Sequence, residues 1–203
     1  NLDRAKDGSG YYEMANHAVV RMEPGSTFKT ISLMAALDDG KVKMKDTIRV
    51  EHDGWWYHGA KHMDAHPSDT VYTIRQAMAV SSNIALAKIV TDGYNGSAKK
   101  FVKKLRNMGL CDSVDFTIPG ANQALINVPN DTVTISKMAY GYSVELSPLQ
   151  ILMFYNGIAN DGKMISPLFV KEIRKDGKTI EEFESTVIKG SMCDDSTLEG
   201  VRE

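Results

Sequence analysis

The stretch EPGSTFK, Glu23 to Lys29, sets a Pro-Gly pair directly ahead of a serine and puts a lysine three residues after it. The run that follows has apolar residues at 28, 31, 33, 34 and 37, the spacing of one buried helical stripe, and Gly40 can end it. The spacing predicts a helix over about 26–39 with Ser26 at its N-terminus. A serine hydroxyl is a poor nucleophile until a neighbour takes its proton, and a lysine at i+3 projects over the same helical face. Lys29 can take that proton only when neutral, which desolvation or nearby cations would favour by lowering its pKa. Backbone N–H groups at the helix start would face an oxyanion developing beside the serine. A bare Ser-x-x-Lys fits a capping serine and a solvated lysine equally well, so the rest of the chain has to decide.

The 203 residues, 42% hydrophobic and 25% charged, describe an ordinary globular chain with material for one sizeable core. A formal net charge of -2 with both signs interspersed, and no basic stripe carrying interleaved aromatics, argue against a nucleic-acid partner. The apolar runs fall short of the roughly 18 to 20 residues of a membrane span, and the first residues lack a signal peptide's apolar region. The chain reads as a cut piece of something longer. Cys111 and Cys193 lie far apart, outside any Cys-x-x-Cys spacing, and imply neither a zinc site nor a disulfide framework.

Residues 1–22 are polar, without a strong period, and read as a lead-in. Lys41 to Val50 alternates weakly and can hold a short strand; Glu51 to Asp69 reads as a long loop. Thr73 to Val80 and Asn83 to Thr91 both carry helical spacing, and Ser81-Ser82-Asn83 between them are residues that prefer caps and turns. Gly96 to Met108 predicts an amphipathic helix with Phe101, Val102 and Leu105 inside and its lysines solvated. Pro119 to Pro129 reads as loop, Thr132 to Tyr140 as a short helix, and Ser147-Pro148 as the capped start of a buried helix. Leu168 to Arg174 and Thr179 to Phe183 flank Lys175-Asp176-Gly177-Lys178 as a hairpin. The methionines, among them Met14, Met22 and Met34, fall mostly in apolar stripes and read as core.

The loop at 51–69 holds His52, His58, His62 and His66, with Asp64 among them. His58 and His62 are four apart, a spacing that suits zinc on a helix, but Pro67 and the turn residues around it argue for a loop with solvated histidines, so no metal is expected. Trp55, Trp56 and Tyr57 are expected to pack beneath that loop.

Three words in order decide the matter: Pro24-Gly25-Ser26-Thr27-Phe28-Lys29, then Ala79-Val80-Ser81-Ser82-Asn83, then Gly141-Tyr142-Ser143-Val144-Glu145-Leu146-Ser147-Pro148-Leu149-Gln150. Together they resemble the transpeptidase domain of class B penicillin-binding proteins over about residues 20–190; Ser-x-x-Lys is itself a known motif of that family. The resemblance implies an α+β fold, represented here mainly by the helical part of the penicillin-binding/β-lactamase-like domain with a small hairpin at about 168–184. It implies Ser26 as the nucleophile on the D-Ala-D-Ala carbonyl and Lys29 as its base. Ser81 would relay the proton to the leaving group, and Asn83 would hydrogen-bond both the substrate amide and Lys29, with Thr27 and Ser82 contacting substrate. It implies no cofactor, peptidoglycan stem peptides and β-lactams as ligands, cell-wall synthesis proteins as possible partners, and a place on the outer side of a bacterial cytoplasmic membrane, anchored by a segment outside this chain.

One departure stands out. The family's third motif, Lys-Thr/Ser-Gly on the strand lining the site, is absent, since Lys178-Thr179 is followed by Ile180. The expectation is a partial domain, residues 1–203, without most of the central sheet and poorly active alone. A non-catalytic penicillin sensor or cell-wall scaffold, or a serine β-lactamase, are the alternatives the same words allow.

Overall fold

Pro24 and Gly25 do not lead straight into an α-helix. In the computed structural model, which describes residues 2–13, 16–112, 114, 118 and 120–203, Gly25–Phe28 form a 3₁₀ turn and helix α1 follows as Lys29–Asp38. Ser26 therefore lies in the tighter turn ahead of the α-helix, not in its first turn. The remaining helices are α2 (Ile74–Ala79), α3 (Asn83–Gly93), α4 (Ala98–Asn107), α5 (Thr134–Met138), α6 (Pro148–Ala159) and α7 (Asp195–Arg202). Met14 and Pro119, read from the sequence as a core methionine and the start of a loop, lie outside the described residues.

Helix α1 is the pillar of the core. Ile31, Ser32, Leu33, Met34, Ala35 and Ala36 are all buried, so nearly its whole circumference is covered, where one stripe was expected. Small Ser32, Ala35 and Ala36 let α3, α4 and α7 approach from different sides. A helix enclosed this way is held by packing rather than by propensity.

Local chemistry sets the ends of the other helices. Thr73 caps α2 and Ser147 caps α6, each in a reciprocal capping box with the glutamine three residues on, and Pro148 sits at the first position of α6. Ser82 caps α3 by accepting from the Ala85 N–H at 3.0 Å. On α4, Phe101, Val102 and Leu105 point inward as expected. Lys104 departs from the solvated lysine face: it ion-pairs with Asp38 and, at 2.9 Å, with Asp39 at the end of α1. Met22 also departs from expectation, being exposed, because its backbone bridges to Leu146 and turns its side chain outward.

The strands form five separate two-stranded antiparallel ladders among the described residues. They are β1 (Leu2–Arg4) with β2 (Tyr11–Glu13), β3 (Thr47–Val50) with β6 (Thr70–Thr73), β4 (Trp55–Tyr57) with β5 (Ala60–His62), β7 (Met164–Ile165) with β10 (Val187–Lys189), and β8 (Glu172–Lys175) with β9 (Lys178–Glu182). The hairpin expected near 168–184 is β8–β9 and projects into solvent. The lead-in and the loop at 51–69 each contain a hairpin that the sequence reading had left as coil. In the second, Trp55 pairs with His62 and stacks on Tyr57 with ring centroids 5.2 Å apart, while Trp56 points outward. The architecture is thus helices around α1 with small peripheral sheets, an α+β arrangement.

Candidate active site

Two glycines make the turn that carries Ser26. Gly25 takes φ +57° and donates its N–H to the Gly141 carbonyl at 3.1 Å. Gly141, at φ +91°, comes so close that a Cβ there would stand 2.0 Å from the Gly25 carbonyl oxygen. Only glycine fits both the dihedral and the gap. Around this contact the Ser143 N–H donates to Glu23 Oε1 at 2.7 Å, and Met22 and Leu146 exchange backbone hydrogen bonds at 3.0 Å. The Tyr155 hydroxyl of α6 donates to the Thr27 carbonyl at 2.9 Å, and Thr27 Oγ1 donates to the Pro24 carbonyl at 2.8 Å. Phe28, fully buried, pins the turn to the core and leaves Ser26 exposed. The 141–150 word is therefore the backing of the turn that carries Ser26.

Lys29, one turn on, is only 2% exposed. Its Nζ donates to Ser81 Oγ at 2.9 Å and to the Ser81 carbonyl. Desolvation disfavours the ammonium and brings the pKa from 10.5 down to about 8, partly opposed by the negative charge of Asp64. About one molecule in ten then carries a neutral amine at pH 7. Ser81 itself sits at φ +53°, a left-handed conformation that costs a non-glycine residue roughly 1–2 kcal/mol. That conformation turns both its oxygens onto Lys29.

The loop holding Ser81 is built from below by Asp64. One carboxylate oxygen accepts from Ser82 Oγ at 2.7 Å and the other from the Ile84 N–H at 3.0 Å. Asn83 Nδ2 donates to the Met63 carbonyl at 2.8 Å. Lys29 and Ser81 thus meet at the start of α1, with Lys29 buried, Ser81 exposed, and Ser26 exposed on the turn three residues ahead of Lys29. Ser82 goes elsewhere: it is 0% exposed and commits its hydroxyl to the cap and to Asp64, so it lies inside the fold and not on a substrate-facing surface. Asn83 is half-buried and bonds Met63 in place of Lys29. Lys178 and Thr179 lie on the exposed β9, where the Thr179 hydroxyl donates to Glu172 at 2.5 Å.

His52, His58 and His66 are exposed, in line with the reading of that loop as solvated, but His62 is not. His62 is 1% exposed, between the Tyr140 hydroxyl at 2.7 Å from Nδ1 and Ser136 Oγ at 3.0 Å from Nε2. Burial, with the Lys137 cation nearby, holds its pKa below the usual imidazole value. Among the described residues no group of three His, Cys, Asp or Glu side chains is arranged to hold a metal ion. Asp64, read among those histidines, is instead the support of the Ser81 loop. Nothing local in the sequence signals this, because Asp64 and Ser82, 18 positions apart, are brought together only by the fold.

Comparison with known proteins bears on this arrangement. The family model described as the penicillin binding protein transpeptidase domain matches residues 3–203. The chain is 28% identical over 160 residues to a probable peptidoglycan D,D-transpeptidase PenA of Neisseria flavescens, covering 77% of this chain and 38% of that protein. It is 26% identical over 184 residues to penicillin-binding protein PbpB of Mycolicibacterium smegmatis, covering 84% of this chain and 26% of that one. It therefore spans well under half the length of these curated relatives. Among solved structures, the apo TP domain of Burkholderia pseudomallei penicillin-binding protein 3 superposes with a TM-score of 0.75 at 22% identity, covering 92% of this chain and 54% of that one. At that identity the superposition speaks for the fold alone.

Proposed function

Given that the chain belongs to the penicillin-binding protein transpeptidase domain family, we propose that it carries the acylation half-site of a peptidoglycan D,D-transpeptidase, with Ser26 as nucleophile and Lys29 as its base. The observation that carries this reading is Lys29: buried, drawn down to about 8, hydrogen-bonded to Ser81, and three residues after the exposed Ser26. Neutral Lys29 takes the Ser26 proton as Oγ attacks the carbonyl between the two terminal D-alanines of a stem peptide. The tetrahedral intermediate collapses by breaking the C–N bond. The proton passes from Lys29 through the Ser81 hydroxyl to the departing D-alanine nitrogen, leaving an ester on Ser26. The amine of a second stem peptide then attacks the ester, forms the crosslinking amide and returns Ser26. A β-lactam follows the first half of this path, but its ring nitrogen stays tethered to the acyl group and blocks the second.

In this reading Thr27 and Asn83 flank the substrate, and a strand with the Lys-Thr/Ser-Gly function binds its carboxylate from outside these residues. The proposed setting is the outer face of the bacterial cytoplasmic membrane; among the described residues no helix is long and apolar enough to cross one. The test is the intact mass of the full natural chain containing these residues after exposure to benzylpenicillin, beside its Ser26→Ala variant. One adduct of the drug's mass on the parent and none on the variant is expected. No adduct on the parent, or an adduct that survives Ser26→Ala, would overturn the assignment.

A further inference from the structure

We infer that His62 is a positioning residue for the Ser26–Lys29–Ser81 site, fixing the separation of its two halves through the hydrogen bond it receives from Tyr140. The inference rests on the acyl-transfer reading above and adds to it a residue that touches neither substrate nor any of the three reacting side chains.

Hydrogen-bond capacity fixes the state of the imidazole. Ser136 Oγ lies 2.6 Å from the Val133 carbonyl, which can only accept, so the serine proton points there. The contact at 3.0 Å between Ser136 Oγ and His62 Nε2 then requires Nε2 to carry the proton and donate. Nδ1 is left bare, and the Tyr140 hydroxyl donates to it at 2.7 Å. The neutral ring is satisfied at both nitrogens inside the core, wedged against Trp55 at 5.6 Å between centroids and edge-on to Tyr140 at 5.7 Å.

Directly after the strand that ends at His62, the next two residues support the Ser81 loop: the Met63 carbonyl holds Asn83, and the Asp64 carboxylate holds Ser82 and Ile84. On the other side, the residue after Tyr140 is Gly141, whose carbonyl holds Gly25 at 3.1 Å with no room for a side chain between them. Together with the bond to Ser136, the Tyr140–His62 hydrogen bond therefore ties the frame of the Ser81 loop to the frame of the Ser26 turn, each a residue or two away. Both frames meet at Lys29, which must reach Ser81 from the base of the nucleophile turn. A displacement of about 1 Å between reacting groups is enough to slow a reaction about a hundredfold.

Tyr140→Phe removes the bond with almost no change in volume, and in the full natural chain it is expected to slow benzylpenicillin acylation of Ser26 about tenfold per folded molecule. His62→Leu is expected to do the same or worse. His62→Asn, whose Oδ1 can stand near the Nδ1 position and accept from Tyr140, should recover most of the rate. A second readout is independent of acylation: the titration of the Lys29 ammonium by NMR with ε-carbon-labelled lysine, assigned through Lys29→Arg. In Tyr140→Phe its midpoint should rise above about 8 by roughly half a unit or more, because loosening admits water and relieves the desolvation that is the larger cause of the depression. A lower melting temperature with an unchanged rate per folded molecule and an unchanged midpoint would reduce His62 to an ordinary core residue and overturn the inference. An adduct that persists in Ser26→Ala overturns the acyl-transfer reading instead, and the Lys29 titration then decides the positioning role by itself.

Discussion

The pH dependence of acylation follows from where Lys29 sits. With its pKa held at about 8 by burial, the neutral amine makes up about 1% of molecules at pH 6, about 9% at pH 7, about 50% at pH 8 and about 91% at pH 9. The acylation rate constant for benzylpenicillin on the full natural chain is expected to follow that fraction. It should rise nearly tenfold from pH 6 to 7, about fivefold from 7 to 8, and less than twofold from 8 to 9. Asp64→Asn isolates the cause. The negative charge of Asp64 raises the Lys29 pKa, and removing it lowers the midpoint below about 8 and increases the neutral fraction at pH 7. The amide oxygen of an asparagine can still accept from Ser82 or Ile84, so the loop keeps one of its two supports. The gain at pH 7 has a ceiling of about elevenfold, the ratio of a fully neutral population to 9%. Stopped-flow acylation with a chromogenic β-lactam from pH 5.5 to 9.5 reads both profiles. A flat profile for the parent, or a midpoint that moves upward in Asp64→Asn, would refute Lys29 as the base whose protonation gates the step.

Two further perturbations test the scaffold. Gly141→Ala places a methyl group 2.0 Å from the Gly25 carbonyl on a backbone at φ +91°, and should cost about 2–4 kcal/mol in urea unfolding and abolish acylation as the Ser26 turn is pushed away. Lys29→Met replaces a buried ammonium by a side chain of similar length and should raise stability at pH 7 by about 1 kcal/mol while eliminating acylation. The sign of its pH dependence follows from linkage. The folded protein binds the Lys29 proton more weakly than the unfolded chain, so the parent gains stability as pH rises from about 8 to 10.5, and Lys29→Met should lose that gain in melts across the same range.

Ser26, Lys29 and the Ser81–Asn83 loop could be named as candidates because they stand in short, contiguous words, and the capped helices were legible because Ser147-Pro148 and Thr73 are local signals. The 3₁₀ turn at Gly25 was not, since it arises from a contact with Gly141 more than a hundred residues away. Three-residue strands such as β4 and β5 carry too few residues for an alternation to show. The burial of Ser82, the pairing of Lys104 with Asp38 and Asp39, and the role of Asp64 all depend on which charges the fold brings together. Lys104 in particular follows the amphipathic period of α4 faithfully; what the period cannot tell is that its head reaches the end of α1.

The depressed pKa of Lys29 is a property of the whole core rather than of its immediate neighbours. A lysine near a helix start ordinarily keeps its ammonium wet by swinging its four-carbon stem outward. Lys29 cannot, because the helix that carries it is enclosed on nearly every side, from Phe28 beneath the turn to Ile31, Ser32 and Leu33 immediately following. The stem runs toward Ser81, where two oxygens receive the ammonium but do not fully replace water. Asp64 pulls the other way, keeping the charge from being lost altogether, from a position fixed by its bonds to Ser82 and Ile84. The proton affinity that the chemistry needs is therefore set by the packing of α1 and trimmed by one carboxylate. Substitutions in the α1 core that admit water, such as Leu33→Ala, should move the Lys29 midpoint upward toward 10.5 without touching any residue of the site.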